Sequence, residues 1–325
     1  MSVHTVRGPL DTSELGQTLI HEHITTADWS TRMGFGEHFY EHDVILARAV
    51  EQFSRAKACG VRTVVDGPPV NMGRDVRLIR EVADQTGLNF IVSSGFYYQD
   101  EVYLSWRSED EVYAWLSREC QDGIARTGIR PGIMKAACAD NGITPILDMV
   151  FRAIGRVAAE QRLPIFCHHH TQVGNGDEIM DAFESRGVAP SQVVLGHSGD
   201  TNDLDYLERM LRRGCYLGMD RFGHCAVSNS LEDRGAPSRS CAPAGTPIGY
   251  YCPMTWQSTG GSSGSGRGTR RKTRTPTSTS PSSTARSSRP SRPQDWTMWK
   301  YLRCSNATPP HCSRSTDPRR TAPAG

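Results

Sequence analysis

The stretch Leu19-Ile20-His21-Glu22-His23-Ile24 decides the fold, because it is a short apolar strand that carries two histidines two residues apart. Side chains alternate along a strand, so His21 and His23 project from the same face. If that face lines the inside of a barrel, the two imidazoles point at one position, which is how a metal site begins. The segment therefore predicts an inward-facing metal site on the first strand of a barrel.

The chain up to residue 223 alternates between strand and helix patterns. Predicted strands cover 19–24, 61–66, 90–95, 132–136, 164–170, 192–197 and 215–221. Predicted helices cover 43–58, 75–86, 109–125, 144–161, 177–186 and 203–213. Such repeats indicate βαβ units, which form either an open doubly wound sheet or a closed barrel. No glycine-rich dinucleotide loop follows the first strand, so the pattern favours a TIM (β/α)8 barrel with seven recognisable strands.

Composition excludes several classes of protein. No stretch approaches 18 apolar residues, and the first ten residues lack the apolar core of a signal peptide, so we expect no membrane association. The ten cysteines include no C-x-x-C pair. Reduced thiols of this kind are typical of a cytoplasmic protein.

The overall charge of +2 conceals two regions of opposite character. Residues 1–234 carry 23 basic and 33 acidic side chains, whereas residues 235–325 carry 14 basic and 2 acidic ones. The second region is rich in Ser, Thr, Gly, Arg and Pro and shows no strand or helix periodicity. We therefore predict a barrel domain over 1–234 and a basic, low-complexity, disordered tail over 235–325.

Polar residues lie at the ends of several apolar strands. Lys135 lies inside one predicted strand, His168 and His170 share a face of the next, and His197 ends the one after that. Any one of these residues alone has an ordinary explanation as a packing, capping or ion-pair residue. Three strands that end in histidine and a fourth with a buried lysine instead favour a shared site, because barrel chemistry lies at the carboxyl ends of the strands.

Four segments together resemble the phosphotriesterase family of the amidohydrolase superfamily, whose smaller members include phosphotriesterase-like lactonases. They are G-Q-T-L-I-H-E-H at 16–23, the strand around Lys135, P-I-F-C-H at 164–168 and G-H-S-G-D-T-N-D at 196–203. The resemblance covers residues 1 to about 234. It implies a barrel with two divalent metal ions and a metal-bridged hydroxide that attacks a lactone, carboxylic ester or phosphotriester.

The resemblance also implies a role for individual residues. It places His21 and His23 on one metal and His168 and His197 on the other, with a carboxylated Lys135 bridging both, and it makes Tyr97 and Arg221 substrate-contacting residues. His168 is preferred to His170 because it follows Pro164 by four residues. Zinc is the expected metal, although such ligands also accept manganese, cobalt or iron. A family-like homodimer and a small-molecule ester or lactone substrate are further expectations.

One family residue has no counterpart in the written sequence. The family carries an aspartate at the end of strand eight, in a pattern similar to L-L-S-H-D-V-A. This aspartate ligates the first metal and accepts a proton. No such segment follows His197. The eighth strand is therefore missing from the chain as written.

A shifted reading frame supplies the missing pattern. We take each true codon as the third base of one written codon followed by the first two bases of the next. Across residues 250–257 the shifted frame gives Leu, Leu, Ser or Pro, one of His, Asn, Tyr or Asp, then Asp, one of Leu, Met or Val, and Ala. This accommodates the strand-eight pattern, with its aspartate about 57 residues after His197. We interpret everything after about Arg234 as out of frame and expect the written chain to fold poorly.

Other functions remain open from the sequence. A different amidohydrolase-type barrel, such as a deaminase or a metal-dependent nuclease, would also place histidines on these strands. A non-catalytic remnant is the outcome if the frameshift is real. The basic tail could bind nucleic acid non-specifically, but it has no organised aromatic or helical partner, and we expect no nucleic-acid ligand.

Overall fold

A computed structural model describes residues 1–220 of the 325-residue chain. Its nine strands are β1 (Ser2–Thr5), β2 (Gly8–Asp11), β3 (Gln17–Glu22), β4 (Val61–Asp66), β5 (Asn89–Gly95), β6 (Ile133–Ala137), β7 (Ile165–His168), β8 (Val193–Gly196) and β9 (Tyr216–Leu217). Its seven α-helices are α1 (Trp29–Phe35), α2 (His42–Ala58), α3 (Val76–Thr86), α4 (Glu109–Asp122), α5 (Pro145–Gln161), α6 (Gly176–Glu184) and α7 (Leu204–Arg213).

Strands β3 to β9 form one parallel sheet in sequence order. Each strand pairs with the next, and a helix follows each of the strands β4 to β8, which confirms the predicted α/β fold. The sheet curls into a half-barrel consistent with a TIM barrel. The proposed eighth strand, the 1–234 domain boundary and the 235–325 tail lie partly or wholly outside the described residues.

An amino-terminal hairpin of β1 and β2 was not predicted from the sequence. Its Val6 N–H donates to the Phe90 carbonyl at 2.8 Å, which attaches the hairpin to β5. Val3 joins Ile91, Phe166 and other apolar side chains in one buried cluster. The hairpin therefore adds apolar surface to the core that underlies the sheet.

Several predicted strands extend beyond the carboxyl ends of the observed ones. The first strand ends at Glu22, so His23 lies just beyond it. The strand predicted over 164–170 ends at His168 because the His170 N–H donates to the Asn175 side chain at 3.0 Å instead of to a neighbouring strand. The last strand pairs with β8 only at Tyr216 and Leu217.

Helix boundaries follow local capping chemistry. Thr144 accepts the Leu147 N–H at 3.1 Å and precedes a proline in the first turn of α5, as predicted. The seven-residue α1, not predicted, begins after the N-cap residue Asp28. Arg32 of this helix contacts Asp75 at 2.7 Å, which ties α1 to the N-cap residue of α3. Among residues 1–220, no helix combines the length and the apolarity needed to cross a bilayer.

Candidate metal centre

Four of the sequence-predicted residues meet at the carboxyl end of the sheet. His21 lies in β3, Lys135 in β6 and His168 at the end of β7, while His197 directly follows β8. All four side chains are largely withdrawn from solvent, and Lys135 is only 1% exposed. The parallel arrangement brings them together because every strand of the sheet ends at the same edge.

Nitrogen atoms of two other predicted ligands, His23 and Lys135, lie close to the ring of His21. Its Nε2 lies 3.2 Å from Nε2 of His23 and 3.0 Å from Nζ of Lys135. Gly67, just after β4, makes room for this cluster, because a Cβ there would lie 2.8 Å from Cδ2 of His21. Imidazole nitrogens that face one another at such a distance are suited to sharing a cation.

Asp220 links His21, on the first strand of the sheet, to His197, which follows β8. Its carboxylate lies 2.5 Å from Nδ1 of His21 and 3.1 Å from Nδ1 of His197. An ionised carboxylate only accepts hydrogen bonds, so we assign the proton of each ring to Nδ1. Nε2 of each ring is then unprotonated, which is the form that binds a metal.

Burial and local charge favour neutral His21 and His23 rings beside an ionised Asp220. Burial, reinforced by the nearby Lys135 charge, lowers the pKa of His21 to about 3. Burial also lowers the pKa of His23 well below its usual value, with His21 adding to the effect. For Asp220, burial opposes ionisation, but His197 and then His21 hold its pKa well below the usual range. Neutral imidazoles beside an ionised carboxylate are the arrangement that metal coordination requires.

His168 forms the other side of the site. Its ring centroid lies 4.5 Å from that of His197, and its Nδ1 lies 3.2 Å from the hydroxyl of Tyr97. Asn71 accepts the Tyr97 N–H at 2.8 Å and so fixes the backbone there. His168, rather than His170, is thus the histidine of the 168–170 run whose ring lies against His197. Arg221, the other predicted substrate contact, lies outside the described residues.

Phe166 forms the floor of the cluster, a role that the sequence did not reveal. Its ring stacks on His21 with centroids 4.2 Å apart, and Nζ of Lys135 lies 4.5 Å from its centroid. Gly196 accommodates the ring, since a Cβ there would lie 2.2 Å from Cε1 of Phe166. This ring limits the orientations open to His21 and Lys135.

The sequence analysis also missed two carboxyl groups near the site, those of Asp66 and Asp220. Asp66, at the end of β4, accepts the Ile24 N–H at 2.8 Å and anchors the segment that carries His23. Burial raises the pKa of Asp66 to about 7. Asp220 had a usable signal, because it lies at the end of a predicted strand next to Arg221, but no local pattern names the rings that it contacts.

Comparison with known proteins identifies a family and several relatives. The family model for the phosphotriesterase family matches residues 1–236. A phosphotriesterase homology protein of Mycobacterium tuberculosis is 35% identical over 248 residues, covering 74% of this chain and 76% of the relative. An aryldialkylphosphatase of Saccharolobus solfataricus is 32% identical over 216 residues, covering 66% and 68%. An N-acetyltaurine hydrolase of Rattus norvegicus is 27% identical over 250 residues, covering 68% and 72%.

The parallel half-barrel and its buried histidine–aspartate cluster are those of a metal-dependent hydrolase. The chain belongs to the phosphotriesterase family.

Replacing Asp220 tests its position between the two rings. In Asp220→Asn an amide N–H must face one of the Nδ1 atoms. The proton of that ring then moves to Nε2, and the ring loses the tautomer in which Nε2 can bind a metal. We expect the affinity for zinc to fall by about 10- to 100-fold. Competition with a chromogenic chelator measures this affinity. Asp177→Asn, at an exposed ion pair with Arg209, serves as the control, and equal affinities for the two variants would contradict the assignment.

Proposed function

We propose that the site is binuclear, with His21 and His23 on one metal ion, His168 and His197 on the other, and a carboxylated Lys135 between them. The observation that carries this proposal is the approach of His23 Nε2 and Lys135 Nζ to the single Nε2 of His21. An ammonium group would be unfavourable there, because Lys135 is only 1% exposed and burial removes the water that solvates its charge. A carbamate on the same nitrogen is an anion and removes this conflict.

The donor set fits divalent metals of intermediate softness. Imidazole nitrogens together with carbamate and carboxylate oxygens suit zinc, and also manganese, cobalt and iron. Two adjacent cations of this kind would lower the pKa of a bound water and polarise a carbonyl or phosphoryl oxygen. The four histidines and one bridging group leave coordination positions open for water and substrate.

The chain's own residues hold the reacting groups in place. Asp220 keeps His21 and His197 in the metal-binding tautomer. Phe166 supports the His21 ring from below. The Tyr97 hydroxyl, beside His168, is positioned to orient a substrate oxygen at the mouth of the site. Each of these contacts restricts motion before substrate arrives.

We assign the substrate class as small lactones or other carboxylic esters, with phosphotriesters as a lesser activity. Tyr97 and Arg221 occupy positions that resemble the lactonase members of the family. The Saccharolobus relative, by its name, acts on aryldialkyl phosphates, and the rat relative acts on an amide. By their names, these relatives act on more than one type of acyl or phosphoryl substrate.

A substrate panel tests this assignment. The zinc-loaded protein, with its reading frame restored after about Arg234, is assayed with an aliphatic lactone, an aryl acetate, an aryl dialkyl phosphate, an N-acyl amide and adenosine. We expect the highest kcat/KM with the lactone and none with adenosine. Tyr97→Phe is expected to lower kcat/KM for the lactone by about tenfold through loss of one hydrogen bond. A chain most active on adenosine would instead be a deaminase.

We also propose that the written chain is impaired because it is out of frame after about Arg234. The family match ends at residue 236, close to the point where the composition changes. Without its eighth strand a barrel cannot close, and the first and seventh strands keep unpaired edges. A soluble preparation of the written chain with two tightly bound metals would refute this.

A further inference from the structure

His169 is a buried polar residue that the proposed mechanism does not use. It follows the metal-ligand candidate His168, and it is 2% exposed. Its ring lies nearly parallel to that of Tyr206 in α7, with centroids 6.2 Å apart. His169 thus lies between the sheet and a surrounding helix, where an apolar side chain would ordinarily be expected.

The ring of His169 bonds to the backbone just before His197. Its Nδ1 lies within hydrogen-bonding distance of the Gly196 carbonyl oxygen. Because a carbonyl only accepts, Nδ1 must carry the proton and donate. The bond extends the contact between β7 and β8 by one residue of β7, because His168 is the residue that pairs with Gly196.

The same peptide unit is held at its other end. The His197 N–H belongs to the Gly196–His197 peptide, and it donates to Asp220 Oδ1 at 2.7 Å. This peptide leads into His197, whose φ is +63°, in the left-handed region that non-glycine residues rarely adopt. The orientation of the peptide sets that φ angle, and the φ angle sets where the imidazole points.

We propose that His169 is a positioning residue for His197, an inference that rests on the proposed role of His197 as a metal ligand. His169 and Asp220 hold one peptide from opposite ends, and together they keep His197 in its left-handed conformation. Loss of the His169 donor leaves the Gly196 carbonyl buried without this bond and frees the peptide to rotate. The His197 ring then moves away from its position beside the His168 ring.

Two variants of the chain with its reading frame restored after about Arg234, the parent for this test, separate hydrogen bonding from packing. His169→Asn keeps an amide N–H at the same branch position as Nδ1, whereas His169→Leu keeps much of the volume and removes the donor. Tyr206→Phe is the matched control, because it alters the same buried face by removing a hydroxyl that accepts the Gly176 N–H. Cobalt(II) titration, followed by absorbance, measures metal affinity, and NMR hydrogen exchange on metal-free protein measures protection of the His197 amide.

For His169→Leu we expect weaker binding of one cobalt ion by about tenfold or more, with faster exchange of the His197 amide. His169→Asn and Tyr206→Phe should remain within about threefold of the parent chain, a smaller change than loss of a positioning group produces. The proposal is overturned if His169→Leu behaves like the parent, or if His169→Asn or Tyr206→Phe loses as much as His169→Leu. If His169→Leu does not fold, His169→Gln replaces it, since its amide lies one bond too far along the side chain.

Failure of the proposed function gives a different result. If the parent chain binds no cobalt, the metal assignment fails, while the exchange rate of the His197 amide still reports whether His169 holds the peptide. Slow exchange in the parent and His169→Asn, with fast exchange in His169→Leu, would support the positioning role. Equal exchange in all three would refute it.

Discussion

A chain with its reading frame restored near codon 234 is expected to gain metal-dependent lactonase activity of at least about 100-fold over the written chain, the scale of a missing acid–base residue. One inserted base returns the strand-eight pattern and its aspartate. The strand lets the sheet close between β3 and the seventh strand of the sheet, β9. The aspartate supplies a further ligand near His21 and His23 and a group that can take a proton.

The gene itself provides the first check. Sequencing of source DNA across codons 225–260 shows whether a base is missing and whether the shifted bases spell the strand. The written and restored chains are then compared for soluble yield, zinc content and lactone hydrolysis. A second restored chain, in which the new aspartate is replaced by alanine, should fold but remain weakly active. If the restored chain gains neither solubility nor activity, the frameshift hypothesis is wrong and the tail needs a function of its own.

Lys135→Ala in the restored chain is expected to remove the bridge between the metals and to lower activity by about 1,000-fold or more, because water activation depends on the cation pair. Lys135 is only 1% exposed, and its Nζ lies 3.0 Å from Nε2 of His21 and 4.5 Å from the centroid of the Phe166 ring. Alanine leaves neither a ligand nor a side chain that can fill this space. Metal content measured by mass spectrometry should fall together with the activity.

A conservative variant separates the bridging role from packing. Lys135→Glu restores an anionic oxygen donor and should recover part of the metal content, whereas Lys135→Met fills the space without a donor and should not. Labelled bicarbonate, followed by carbon NMR, detects a carbamate on the parent chain that both variants lack. Full activity in Lys135→Met would exclude the binuclear mechanism and favour a mononuclear barrel.

The alternation of strands and helices was predictable because it depends on local chemistry. The strand predicted over 61–66 coincides with β4, since its β-branched residues lie between Gly60 and Gly67 and nearly all are buried. The helix α5 begins as predicted because Thr144 and Pro145 determine its first turn locally. These signals require only neighbours in the chain.

The missed elements depend on distant contacts. The hairpin of β1 and β2 has four-residue strands that would not be stable alone, and its Val6 hydrogen-bonds across 84 positions to Phe90. Helix α1 is too short to form by its own propensity. Arg32 stabilises this helix in two ways. It forms an ion pair with Asp75, and its Cζ lies 3.8 Å from the centroid of the Tyr40 ring.

The sequence by itself determined the fold class, because the alternation of strand and helix patterns is local. It determined the family and the histidines and lysine of the site through the resemblance of four short segments. Only the tertiary structure decided how those groups are held: Asp220 between His21 and His197, Phe166 beneath Lys135, and His169 behind the Gly196–His197 peptide. These contacts join different strands of the curled sheet. Their partners are set by three-dimensional packing rather than by spacing along the chain.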